Sequence, residues 1–404
     1  MSEPNQWPPF ENTPNGGSAN GQQPTQQQFQ QPQQPPQQQP WQVPPQMPQQ
    51  QLPPQVPPQV PPQYPMWQVP QQYPSQYPQQ PVQYGRPSLL ETARRAYSRL
   101  GAAFSVMLVV WNVVMVIFSV AIGGVNPEAL NWAWVSLLLS DLALYVIAIP
   151  IAYAMMRPLP ELPTREFRLT PSRLFVWFLI SMAIMFIGSL LSNGLIELLS
   201  EGNSSENRID TLIDNIPPWL NLLSVAVVGP IIEEWLCRKQ IISRLRRYGE
   251  KTAILVSALI FGLMHMNLYQ FFYAFGLGLV FGYIYVRTSR LRYTIGLHMA
   301  LNFLGSVASP FFSDWLSTQH TATTTAEKQM ETLLNLSAEL YMLLYLIAVV
   351  AGMILLIVEC RKLEFYETPE QLPKGTAERC AFGNAGMIVF LVISIALTVL
   401  ALIQ

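Results

Sequence analysis

Two adjacent glutamates, Glu233 and Glu234, precede Arg238 within one long apolar stretch of the chain. A second apolar stretch carries His265, and a third carries His298 and Asn302. An ionisable side chain at the bilayer centre costs at least ~2.5–3.5 kcal/mol on insertion scales, so several together mark a site. Their chemistry is complementary. A carboxylate can take a proton from water, imidazoles can orient water or move protons, and a carboxamide can donate to a developing oxyanion. The set suits water activation and oxyanion binding better than it suits packing.

Spacing divides the labour. Glu234 and Arg238 are one helical turn apart and share a face, so an ion pair offsets much of their burial cost. Glu233 is rotated by roughly 100° on a helix of 3.6 residues per turn, which leaves it free to face a cavity as a general base. His298 and Asn302 share another helix face, and Thr294, Ser306 and Ser309 extend it as a polar stripe. Such a stripe lines protein or water rather than lipid. Asp141 is a further acid in an apolar stretch with no partner by spacing, and reads as structural or cavity-lining.

These residues need a scaffold, and composition says which kind. Of 404 residues, 50% are hydrophobic and 12% are charged. Soluble domains carry about 25% charged residues, so the predicted fold class is an all-α, polytopic integral membrane bundle. The formal net charge of −1 argues against nucleic acid as a partner. Three cysteines, Cys237, Cys360 and Cys380, form neither a disulfide framework nor a zinc motif. The polar first residues predict no cleavable signal peptide.

Residues 1–86 form a separate compartment rich in Pro and Gln, with Val-Pro-Pro-Gln recurring at Val43, Val56 and Val60. Such a tail cannot bury a core and is predicted to be disordered, with polyproline II character. It serves either as a spacer or as a docking segment for a proline-recognition partner. Ser88 and Glu91 then stand at capping-box positions for a helix bearing Arg94, Arg95 and Arg99. That helix lies on the membrane surface or extends the first span.

Residues 87–404 form the membrane domain. Spans are predicted near 101–122, 130–156, 173–199, 218–240, 252–267, 269–287, 293–312, 338–359 and 386–403, or eight if the fifth and sixth are wrongly divided. Every alternate connection is rich in Arg or Lys, including Arg157 to Arg173, Arg244 to Lys251 and Arg287 to Arg292. The positive-inside rule then puts the N-terminus in the cytosol and the C-terminus outside a multi-pass cell membrane. His320 and the Asn-x-Ser words at Asn203 and Asn335 fall in predicted outer loops. Ala274, Gly278 and Gly282 form a small-residue face on the sixth span, fit for close helix contact. At 1.5 Å per residue, His298 lies about 8 Å from Tyr293 and His265 about 20 Å from Thr252. The two can meet only if the fifth helix begins at or before Lys251, or the seventh sinks deeper.

The words Glu233-Glu234-Trp235-Leu236-Cys237-Arg238, Phe261 to His265, and His298 to Asn302 resemble the three motifs of the CPBP family of intramembrane proteases. That family includes CAAX prenyl endopeptidases and bacteriocin-immunity relatives. The motifs stand in family order, and the resemblance covers about residues 170–312. It implies that Glu233 activates water, that His265 assists it, and that His298 and Asn302 hold the oxyanion. It implies that Glu234 and Arg238 support the site. The substrate would be a membrane-associated protein or peptide, prenylated in part of the family. There is no His-Glu-x-x-His word, and a metal-free glutamate mechanism without cofactor is expected. A divalent ion on Glu233, His265 and His298 is the alternative. Two rival readings stand beside the protease: a non-catalytic scaffold or immunity protein acting through its tail, and a proton-coupled transporter. The transporter reading calls for internal repeats, and none is visible.

Overall fold

A computed structural model describes residues 88–199, 215–318 and 323–403. The Pro/Gln tail, Asn203 and His320 lie outside the described residues. Helix α1 (Leu89–Val125) is followed by a short 3-10 turn and by α2 (Ala133–Met156), α3 (Pro171–Leu199) and α4 (Pro218–Tyr248). Next come α5 (Glu250–Leu263), α6 (Leu268–Thr288), α7 (Leu291–Ser317) and α8 (Thr325–Cys360). A short α9 (Thr376–Phe382) and α10 (Ala385–Ile403) complete the chain. There is no strand among the described residues. Lipid cannot satisfy an open backbone, and helices pair their own N–H and C=O groups.

Eight of these helices are long and apolar enough to cross a membrane, and the chain is a multi-pass membrane protein. The predicted fifth span is the exception. Helix α5 has 14 residues, or about 21 Å at 1.5 Å per residue, against a hydrocarbon core of about 30 Å. Helix α5 ends at Leu263, Met266 turns the chain with a φ of 51°, and Asn267 caps α6 by accepting from the Gln270 N–H at 2.8 Å. Helix α5 does begin at Glu250, one residue before Lys251, as the depth argument requires.

The arginine-bearing segment after Ser88 is the first part of α1, the second of its two readings, and two other expectations change. The Ser88 hydroxyl accepts from the Glu91 N–H at 3.2 Å, but the Glu91 carboxylate turns to Arg95 instead of closing a capping box. Asn335 is not in a loop. It lies within α8, where its amide oxygen accepts from the Trp315 indole at 2.8 Å.

Small residues let the helices approach. A Cβ on Gly278 of α6 would stand 2.7 Å from the Ala258 Cα of α5, so only glycine admits this contact. One on Gly352 of α8 would stand 2.0 Å from the Leu179 carbonyl of α3, and one on Gly386 of α10 would stand 1.8 Å from the Ser98 carbonyl of α1. Large apolar side chains such as Val120, Leu343 and Ile354 point outward instead, as a lipid environment favours.

Three helices carry a proline in mid-course, and each solves it identically. Pro150, Pro230 and Pro310 follow stretches of widened turns at Leu142–Ala148, Leu222–Val228 and Leu304–Ala308. Proline lacks an N–H, and its ring collides with the carbonyl four residues back. The preceding residue in each helix, Ile149, Gly229 or Ser309, donates five residues back instead, to Leu144, Ser224 or Leu304. The helix is locally widened, and the N–H before each proline keeps a partner.

The basic end is held by buried charge. Glu250, 3% exposed, pairs with Arg246 and Arg287 and accepts from the Tyr366 N–H at 2.9 Å. Glu161 binds Lys239 at 2.8 Å and Arg244 at 3.1 Å. The Glu250 bonds fasten the start of α5 to α4, α6 and the chain after α8, and the Glu161 bonds fasten the α2–α3 connection to α4.

Candidate active site

The predicted residues converge. A cavity of about 390 Å³ opens between α2, α3, α4, α6 and α7, and Glu233, His265, His298 and Asn302 all line it. The helices that carry a widened turn, α2, α4 and α7, form three of its walls.

The two glutamates part company as their rotation requires. Glu234 is fully buried and binds Arg238 Nη2 at 3.1 Å, while Arg238 is fully buried too. The guanidinium also donates to the Ser257 hydroxyl at 3.2 Å and lies 4.8 Å from the Phe261 ring centroid and 5.7 Å from that of Phe281. Neither residue of this pair lines the cavity. Glu233 does, with 16% of its side chain exposed.

His298 spans the two carboxylates. Its Nδ1 lies 3.2 Å from Glu234 Oε1, and its Nε2 lies 3.7 Å from Glu233 Oε2. A carboxylate holding one ring nitrogen leaves the other as the working atom. Here Nδ1 donates to Glu234, and Nε2 faces Glu233 and the cavity. His265 is fixed in the same manner, because a carbonyl only accepts. Its Nδ1 donates to the Phe261 carbonyl at 2.7 Å, which leaves Nε2 free. Position also differs from expectation: His265 sits in the turn past the end of α5. Phe261 stands edge-on to both rings, 5.2 Å from His265 and 5.6 Å from His298. One aromatic wedge thus sets the relation of the two imidazoles.

Asn302 is partly committed. Its amide donates to the Val225 carbonyl at 2.9 Å, tying α7 to α4 and leaving one of two N–H groups. Asn221 makes a matching tie to the Ser306 carbonyl at 2.6 Å. Ser306 lines the cavity; Thr294 and Ser309 do not, and Ser309 bonds Tyr341 of α8 at 2.6 Å. Asp141 is a lining residue, and it accepts from the Ser224 hydroxyl.

Sequence reasoning missed Ser257, Phe281, Ser224 and Tyr145. Ser257 steadies Arg238, and Phe281 covers the far side of His298, with centroids 5.7 Å apart. Nothing in their spacing ties them to the motifs. Only Asp141, by being an acid in an apolar helix, hinted that α2 contributes. Among the described residues no group of three His, Cys, Asp or Glu side chains is arranged to hold a metal ion.

An acid, two imidazoles and an amide thus share one cavity inside a helical membrane bundle. Residues 215–304, which contain all three motifs, match the family described as Type II CAAX prenyl endopeptidase Rce1-like. The match is narrower than 170–312 and omits α3. Two bacterial relatives agree. The putative membrane peptidase YdiL of Bacillus subtilis (strain 168) is 36% identical over 107 residues, covering 25% of this chain and 42% of the relative. The membrane-embedded CAAX protease MroQ of Staphylococcus aureus (strain USA300) is 29% identical over 136 residues, covering 31% of this chain and 54% of the relative. The chain thus spans about half the length of the curated relatives it matches. No solved structure matches it.

Proposed function

We propose that the chain is an intramembrane endopeptidase that hydrolyses a peptide bond in a membrane-associated protein or peptide, prenylated CAAX-type substrates included. The observation that carries this reading is the split between the glutamates. Glu234 is consumed by Arg238 and His298, while Glu233 faces the cavity.

In the proposed reaction Glu233 takes a proton from water as the water oxygen attacks the scissile carbonyl carbon. The free Nε2 of His265 accepts from that water and sets its direction. Charge develops on the carbonyl oxygen, and His298 through Nε2 and Asn302 through its remaining N–H donate to it. Collapse expels the amine, which recovers the proton from Glu233. Glu234 and Arg238 hold His298 in register. The reading needs no metal.

By the basic connections, the N-terminus and the α4–α5 turn face the cytosol. In a bacterial host the location is then the cell membrane, with the Pro/Gln tail available to a cytosolic proline-recognition partner.

The test is N-terminal proteomics of membranes from cells carrying the native chain or Glu233→Gln, each with and without a chelator. New N-termini present only with the native chain, and unchanged by chelation, support the reading. Identical termini in both strains refute it. Loss on chelation alone refutes the metal-free form.

A further inference from the structure

We infer that Tyr145 of α2 is a further catalytic residue, whose hydroxyl donates a hydrogen bond to the oxyanion. The inference rests on the protease reading above.

The argument begins with donors. Stabilising a tetrahedral oxyanion requires N–H or O–H groups that are uncommitted in the resting protein. Of the donors named by the motifs, only His298 Nε2 and one Asn302 N–H remain for that oxygen. His265 Nδ1 is held by the Phe261 carbonyl, His298 Nδ1 by Glu234, and one N–H of Asn302 by the Val225 carbonyl. Tyr145 lines the same cavity, and its hydroxyl makes no hydrogen bond within the described protein. That hydroxyl is not sealed inside the protein but opens on the cavity, where a bound carbonyl can take its hydrogen bond.

Gly229 shows where it points. A Cβ on Gly229 would stand 3.4 Å from the Tyr145 oxygen and 3.8 Å from Glu233 Oε1. The tyrosine hydroxyl and the proposed base therefore flank one gap, kept open because residue 229 has no side chain. A carbonyl with its attacking water can enter there, with Glu233 on one side and Tyr145 on the other. The widened turn at Leu142–Ala148 carries Tyr145. Pro150 thus shapes the very segment that delivers the hydroxyl.

The step balances simply. As water adds and Glu233 takes its proton, the carbonyl π pair moves onto oxygen. Tyr145 donates a hydrogen bond to that oxygen without transferring its proton. On collapse the pair returns to re-form the carbonyl, the C–N bond breaks, and the tyrosine is unchanged.

Tyr145→Phe keeps the ring and removes only the hydroxyl. Cells carrying the native chain, Glu233→Gln or Tyr145→Phe are compared by pulse-labelled N-terminal proteomics. A peptide spanning a native-only terminus then serves for kinetics with the purified full chain. The expected result is a fall in kcat of ~10²–10³, the usual cost of one oxyanion donor, with KM within about twofold and an unchanged melting temperature. Cleavage by Tyr145→Phe at the native rate, or a loss confined to KM, overturns the inference. A native chain that produces the same termini as Glu233→Gln overturns the protease reading, and the inference with it.

Discussion

His298 Nδ1 lies 3.2 Å from Glu234 Oε1, joining two residues that are 64 positions apart in the chain. This bond extends a buried ion pair to an imidazole on another helix. Glu234 is held by Arg238 behind it, and it in turn holds His298 in front, so that Nε2 meets Glu233. The charged pair is thus mechanically connected to the cavity without lining it.

Arg238→Ala strands Glu234 in a fully buried place and releases its hold on His298. Removing one partner of a buried pair typically costs about 3–5 kcal/mol. A marked drop in melting temperature in detergent is expected, with loss of activity. Glu234→Gln combined with Arg238→Met should recover much of the stability but not the activity. Full activity in that double variant would contradict the linkage from Glu234 to His298.

Asn302→Ala removes two things at once. The Val225 carbonyl loses its partner, at about 1–3 kcal/mol, and the cavity loses an N–H, at ~10²–10³ in rate. Melting curves and turnover measured on the same preparation separate them. A stable variant with unchanged turnover would remove Asn302 from the proposed oxyanion site.

Gly278→Leu forces a side chain into the Ala258 backbone. Overpacking costs typically 1–3 kcal/mol, and here it pushes α5 away from α6. Because His265 follows α5 and Phe261 sits on it, turnover should fall together with stability. Gly296, whose added Cβ would meet nothing within 4 Å, is the control and should accept alanine with little change in melting temperature.

Cysteine labelling tests orientation. Cys360 is exposed beside Arg361 and Lys362, whereas Cys380 is 5% exposed. Burial pushes the Cys380 thiol above the ordinary thiol range, so at a given pH less of it is the reactive thiolate. A maleimide should therefore modify Cys360 readily, and Cys380 only slowly until the pH is raised. An impermeant maleimide should reach Cys360 from the cytosolic side alone. Labelling of Cys360 from outside intact cells would invert the proposed topology.

What the linear chain determined is what depends on local composition and spacing. Apolar runs of span length dictate helices in lipid, and a four-residue interval dictates which residues share a face. Those two facts suffice to pair Glu234 with Arg238, to turn Glu233 the other way, and to nominate His265, His298 and Asn302. The small-residue face at Ala274, Gly278 and Gly282 is legible for the same reason.

Tertiary structure decided what depends on distance between separate helices. Nothing in the spacing of Asp141 or Tyr145 says that α2 forms a wall of the cavity, or that Phe261 stands between two imidazoles. The turn between α5 and α6 passes through Met266, where an apolar side chain in a left-handed conformation carries no sequence signal. Hydrogen-bond commitment is likewise invisible in the chain. Which nitrogen of His298 is spent, and which hydroxyl is left unspent, follows from where rigid helices place their partners in space.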